Sequence, residues 1–292
     1  MMLISSAISL VAYVISYSLY LNAAPNAYTS ESSPALWLFI VTLMSGVVAG
    51  GIRSIAIPTV VTIVAPANQR DRANGLVGTA NGVSFLLTSV ISGLLVGSSG
   101  MNGVLILAIS ATAIAIIDLW FIQVPEQGVV SSEELHQKQL DIKGTIKIIT
   151  AIPGMTALIA FTTFNNFLGG VFMALMDAYG LSLVSVEVWG LLWGFLSSGF
   201  IIGGLFIAKF GLGKNPIKSL FTANLVIWMV SSLFTINPSI VLLMIGMYIY
   251  ITVVPYIEAS EQTLIQNIVP PARQGRIFGF AHGVEQSVNL LT

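Results

Sequence analysis

The chain has 292 residues, 55% of them apolar and only 8% charged, with 11 Lys+Arg against 12 Asp+Glu and a formal net charge of -1. Ordinary soluble domains carry about 25% charged residues, so this composition, with a mean hydropathy of +0.91, excludes a typical soluble protein and a disordered or collagen-like polymer. The charge balance leaves no basic field for nucleic acid, and the absence of Cys excludes disulfides, thiol nucleophiles and Cys-based metal centres.

What remains is an all-α, polytopic membrane protein. Hydrocarbon offers no partner to bare backbone groups, so each crossing should read as about 20 mostly apolar residues in helical form. In chain order, eight complete spans are expected, at about residues 1–22, 35–64, 74–97, 102–123, 148–176, 187–209, 217–235 and 239–266, and a ninth starts near Ile277. The first segment has no Lys or Arg ahead of its apolar run and is too long for a signal peptide.

Ten of the eleven cations fall in alternate connections: Arg70 and Arg72 after the second span, Lys138, Lys143 and Lys147 after the fourth, Lys209, Lys214 and Lys218 after the sixth, Arg273 and Arg276 after the eighth. Short cation-rich loops stay in the cytoplasm. The first residue and the central hydrophilic linker are therefore expected on the cytoplasmic side of a cell membrane.

The chain also matches itself. IVAPANQRDRANGL (Ile63 to Leu76) pairs with IVPPARQGRIFGF (Ile268 to Phe280) once one residue is skipped after Gln69, at an offset of 205 and then 204. Both copies join a span to a cytoplasmic loop to a span, and the six spans between them preserve direction, which makes the repeat parallel. Two six-helix halves follow: an N-terminal half at 1–124, a cytoplasmic linker at 125–147 and a C-terminal half at 148–292. On this register two spans are expected before the first residue and about one and a half after Thr292. Repeats of this kind form transporters with substrate at the repeat interface.

The paired loops and the linker resemble the major facilitator superfamily, and in particular its bacterial drug-efflux-like branch. The two halves would then correspond to family helices three to six, and to seven to ten with the start of eleven, a chain truncated at both ends. Two stretches depart from the family pattern. GGLFIAKFGLGKNPIKS (Gly203 to Ser219) keeps the glycines and cations of a Gly-Asp-Arg-Gly-Arg-type loop but has no acid, and LLTSVISG (Leu86 to Gly93) lacks the antiporter Gly-Pro pair. The resemblance implies a monomeric secondary active transporter without a cofactor, exporting small amphipathic compounds by alternating access, as an antiporter driven by protons or another coupling ion. Two alternatives stay open: an importer of a small anionic nutrient, and a truncated membrane protein that transports nothing.

Among single residues, Arg53 is the cation inside a span, where insertion costs about 2.5–3.5 kcal/mol and deprotonation offers no escape. It stands 13 residues before Pro66, about 20 Å along a helix. At the repeat offset its counterpart is Glu258, at the same distance from Pro271. Arg53 and Glu258 are expected to form, or alternate within, a charge pair that substrate or a proton disrupts, the structural alternative being a permanently closed pair that fixes packing. Glu261 and Gln262 share the helical face of Glu258. Asn165 and Asn166 in the fifth span are candidates for substrate contact or for interhelical hydrogen bonding. Arg70, Asp71, Arg72, Arg273 and Arg276 set topology and are candidates for latching the cytoplasmic end by pairing with acids or helix C-termini. HExxH, GxSxG and Walker motifs are absent, His136 and His282 lie far apart, and neither an enzyme nor a metal site is expected.

Overall fold

A computed structural model describes residues 2–24, 27, 28, 30, 32–122, 142–233, 236, 237 and 239–289. Secondary structure among them is helical: α1 (Met2–Asn22), α2 (Pro34–Val64), α3 (Arg70–Phe121), α4 (Ile142–Ala151), α5 (Met155–Leu183), α6 (Val186–Phe210), α7 (Pro216–Leu233), α8 (Ile240–Ile268) and α9 (Pro271–Asn289), with a 3-10 turn at Ala67–Gln69. Seven stretches among the described residues are long and apolar enough to cross a membrane: Met2–Asn22, Pro34–Val64, Ala67–Val96, Ser98–Phe121, Met155–Leu183, Val188–Phe210 and Ile240–Ile268. Eight were expected. The remaining one, expected at 217–235, coincides with α7, a helix of 18 residues.

Two junctions depart from the expected bounds, and the end of α8 falls close to its own. The third and fourth spans are two limbs of α3, which bends at Gly100 without a loop. Gly100 has φ 58 and ψ -152, a conformation essentially reserved for glycine, and a Cβ there would meet nothing within 4 Å. The constraint is therefore in the backbone itself. The fifth span starts later than expected, because a separate helix, α4, precedes it and the chain turns at Pro153 and Gly154, the latter with φ 79. Part of the expected 125–147 linker is thus helical from Ile142, and its residues up to 141 lie outside the described ones. Finally, α8 stops at Ile268 because Pro270 forces Val269 into an extended conformation, φ -97 and ψ 129.

Packing groups the described residues into two compact units, one within Met1–Ile57 and Thr88–Pro125, the other within Pro58–Leu87 and Glu126–Thr292. The expected halves follow chain order and duplication. The units follow contact, and Pro58–Leu87 packs with residues of the second half.

In the first unit, α1 buries Ser5, Ser6, Ser9, Ala12 and Ser16, a stripe of small side chains that lets α2 approach closely. Ser9 Oγ donates to Gly46 O at 2.7 Å, and a Cβ on Gly46 would stand 2.7 Å from the Tyr13 ring.

In the second unit α8 is central. Its side chains Leu243, Met247 and Ile251 close a core with Met176, Trp189 and Leu196, while Ile257 and Leu264 pack on Leu220, Ala223 and Ile227 of α7. Close approach here rests on missing side chains. A Cβ on Gly203 would collide with Thr252 O of α8, and one on Gly204 would lie 2.5 Å from Thr79 N of α3.

Candidate functional site

The polar groups inside these helices decide what the protein can do, because each must find a partner or face water. Arg53 lies in the first unit, where its Nη1 donates to Ser6 Oγ of α1 at 3.4 Å and its charge stands near Tyr13. These partners are neutral. Its repeat counterpart Glu258 belongs to the second unit.

Glu258 on α8 keeps much of its side-chain surface free of protein contact, and the charges that act on it are those of His282 and Glu285 of α9. Glu261, one turn further along α8, faces Glu285 and Glu258 and stands beside Thr162 of α5, whose hydroxyl donates to Ile159 O at 3.2 Å. His282 Nδ1 and Glu285 Oε2 are 3.4 Å apart, and Glu285 is 7% exposed. Its Oε1 is buried with no hydrogen-bond partner. Three carboxylates and one imidazole thus converge from α8 and α9 beside a threonine of α5. With every carboxylate ionised and the imidazole protonated they would carry a charge of about -2 in a low-dielectric setting, where like charges cost most. Among the described residues no group of His, Asp and Glu is arranged to hold a metal ion.

Gln262 is half-buried beside Glu261. The amides of α5 separate: Asn165 Oδ1 accepts from Trp228 Nε1 of α7 at 3.1 Å, and Asn166 is exposed.

The loop residues also divide. Arg70 Nη1 donates to Gln266 O at 2.8 Å and to Asn267 Oδ1 at 3.2 Å, placing a cation at the carbonyl end of α8, where the helix dipole favours it. Asp71 Oδ2 accepts from the Leu212 N–H at 2.9 Å. The acid missing from the α6–α7 loop is therefore supplied from the start of α3. Gly211, with φ 72, makes room for it: a Cβ there would stand 2.5 Å from Asp71 Oδ2. Arg72, Arg273 and Arg276 are exposed.

Between these loops and the carboxylates lies a buried amide network. Asn74 Nδ2 donates to Thr263 Oγ1 and to Gln266 Oε1, both at 2.9 Å, and Gln266 Nε2 donates to Pro58 O at 2.7 Å. Gln274 Nε2 donates to Val269 O at 2.8 Å, covering a carbonyl just past α8. Asn74, Thr263, Gln266 and Gln274 are each at most 3% exposed. They are functional candidates that a reading of spans and charges passes over, since amides near span ends resemble ordinary loop polarity. Asp177 is similar: its Oδ1 accepts from the indoles of Trp189 and Trp193.

A sequence model of the Major Facilitator Superfamily matches residues 1–291. No curated protein matches the chain. In fold it is similar to the crystal structure of the human organic anion transporter MFSD10 (TETRAN), with a TM-score of 0.68 over 98% of this chain and 69% of that one at 12% identity. At that identity the likeness is one of fold.

Proposed function

Because the chain belongs to the Major Facilitator Superfamily, whose members are multi-pass membrane transporters and not enzymes, we propose that it is a proton-coupled secondary transporter that exports small amphipathic compounds by alternating access. The observation that carries this reading is the convergence of Glu258, Glu261 and Glu285 with His282. A site with more carboxylates than cations is brought toward neutrality by a bound proton or by a positively charged substrate, and the two compete for the same negative charge. Competition of this kind is antiport: entry of a proton releases the cation, and exit of the proton restores its site. Export direction and the efflux branch rest on the paired loops IVAPANQRDRANGL and IVPPARQGRIFGF.

In this scheme Arg53 is the switch in the opposite half. Its guanidinium is permanently charged and has a neutral described partner in Ser6. Pairing with Glu258 in one state and releasing it in the other would change the carboxylate's affinity for a proton.

The test is the full chain in proteoliposomes with ethidium as the amphipathic cation and a pH-sensitive dye inside. A proton gradient should drive ethidium movement, and ethidium should drive proton movement in return. Glu258→Gln and Glu261→Gln should each reduce both fluxes to the level of empty liposomes. Normal coupled flux in the double variant refutes the assignment.

A second reading has specific support. Arg53 offers an unneutralised cation, and a fold neighbour is an organic anion transporter. On that reading Arg53 clamps the anionic group of the substrate, Arg53→Ala abolishes anion uptake, and Glu258→Gln leaves it intact.

A further inference from the structure

Outside the groups discussed so far, the second unit contains an open cavity of about 530 Å³ bordered by the α6–α7 loop, α7 and α8. Its volume lies within the usual range for ligand sites. On α7 its lining follows one stripe at helical spacing, and the chemistry changes steadily along that stripe. Lys218 comes first, with Lys214 beside it on the loop; Ser219 and Thr222 follow; Ala223 and Val226 come last. Eight residues separate Lys218 from Val226, about 12 Å of helix. Val253 and Tyr256 of α8 form the facing wall.

Cation, hydroxyl and hydrocarbon in that order match a phospholipid with an anionic headgroup, from phosphate through glycerol ester to acyl chain. Lys214 and Lys218 are exposed, and no described carboxylate lies within 4 Å of either to form an ion pair. The acid seated against this loop, Asp71, accepts from the Leu212 N–H. The loop that presents Lys214 is held in place: Gly211 and Gly213 take positive φ, and Ser219 Oγ donates to Leu212 O. Its cationic end is therefore built independently of any lipid.

We infer that this cavity is a binding site for one anionic phospholipid, with the phosphate between Lys214 and Lys218 and an acyl chain along Val226 and Val253. A soluble anion would use only the cationic end of the cavity. The hydroxyl and aliphatic steps distinguish a lipid.

The experiment is native mass spectrometry of the full chain, delipidated in detergent and titrated with dioleoyl phosphatidylglycerol, dioleoyl phosphatidylcholine or inorganic phosphate. One phosphatidylglycerol should be retained in preference to phosphatidylcholine. Each cation near an anionic headgroup is worth a factor of about five, so Lys214→Gln with Lys218→Gln should reduce that preference by about thirtyfold. Lys214→Arg with Lys218→Arg should keep it. Thr222→Trp, which fills the aliphatic end and leaves both charges, should lower retention of phosphatidylglycerol. Equal retention of the two lipids by the unmodified chain overturns the inference. So does an unchanged preference in the glutamine pair, or full displacement of phosphatidylglycerol by an equal concentration of inorganic phosphate.

Discussion

Asn74 shows how much a single buried amide can hold. Its Nδ2 serves Thr263 and Gln266, and Gln266 in turn reaches Pro58 O, so one side chain from α3 joins a network reaching α8 and the end of α2. Truncation leaves two buried partners without their donor, which costs about 1–3 kcal/mol. Asn74→Ala should therefore lower the melting temperature in detergent by several degrees, whereas Asn166→Ala, on an exposed position, should leave it within error. Equal effects from the two would show that the network carries no stability. The same comparison shows why part of the site was legible and part was not. Arg53, Glu258 and Glu261 stand out because a charge inside an apolar run has no ordinary explanation. Asn74, Thr263 and Gln266 do not, because amides and hydroxyls near span ends are common and only the fold brings them together. Glu285 had a readable signal, since His282 precedes it by one helical turn, but it sits in a polar stretch where a charge attracts no notice.

Helix positions were legible for a simple reason. Each crossing must bury its backbone in hydrocarbon, and that demand writes a long apolar run into the sequence whatever the partners are. Junctions were less so. The bend at Gly100 replaces a loop, and the turn at Pro153 and Gly154 divides α4 from α5, both through backbone conformations that hydropathy does not encode. The contacts between helices depend on where glycine leaves space. On α6 a Cβ at Gly204 would collide with Thr79 N of α3 at 2.5 Å, while one at Gly190 or Gly194 would meet nothing within 4 Å. The colliding atom is backbone, so the helices themselves must move apart. Gly204→Leu should destabilise the protein by about 1–3 kcal/mol, as overpacking does, and should elute from size exclusion with a lower melting temperature than Gly190→Leu or Gly194→Leu. Three equally stable variants would mean that α3 and α6 do not depend on this approach.

At the scale of the whole molecule the sequence carries two patterns that hydrocarbon and the membrane surface impose together, the apolar runs and the placement of cations. Neither pattern specifies particular residues. A fold can accordingly be shared with a transporter at 12% identity over 98% of the chain. The patterns also make a claim about topology. If the loops at Ile63 to Leu76 and Ile268 to Phe280 are copies related by a parallel repeat, Asn68 and Arg273 must emerge on one face of the membrane, the cytoplasmic one, with Asn237 on the other. The chain contains no cysteine, so single replacements can be read without background. All three positions are exposed. In intact cells a membrane-impermeant maleimide should label Asn237→Cys directly, and should label Asn68→Cys and Arg273→Cys only after the membrane is opened. Labelling of Asn68→Cys and Arg273→Cys from opposite faces would make the two copies inverted, and the pairing of Arg53 with Glu258 at equal depth would lose its basis.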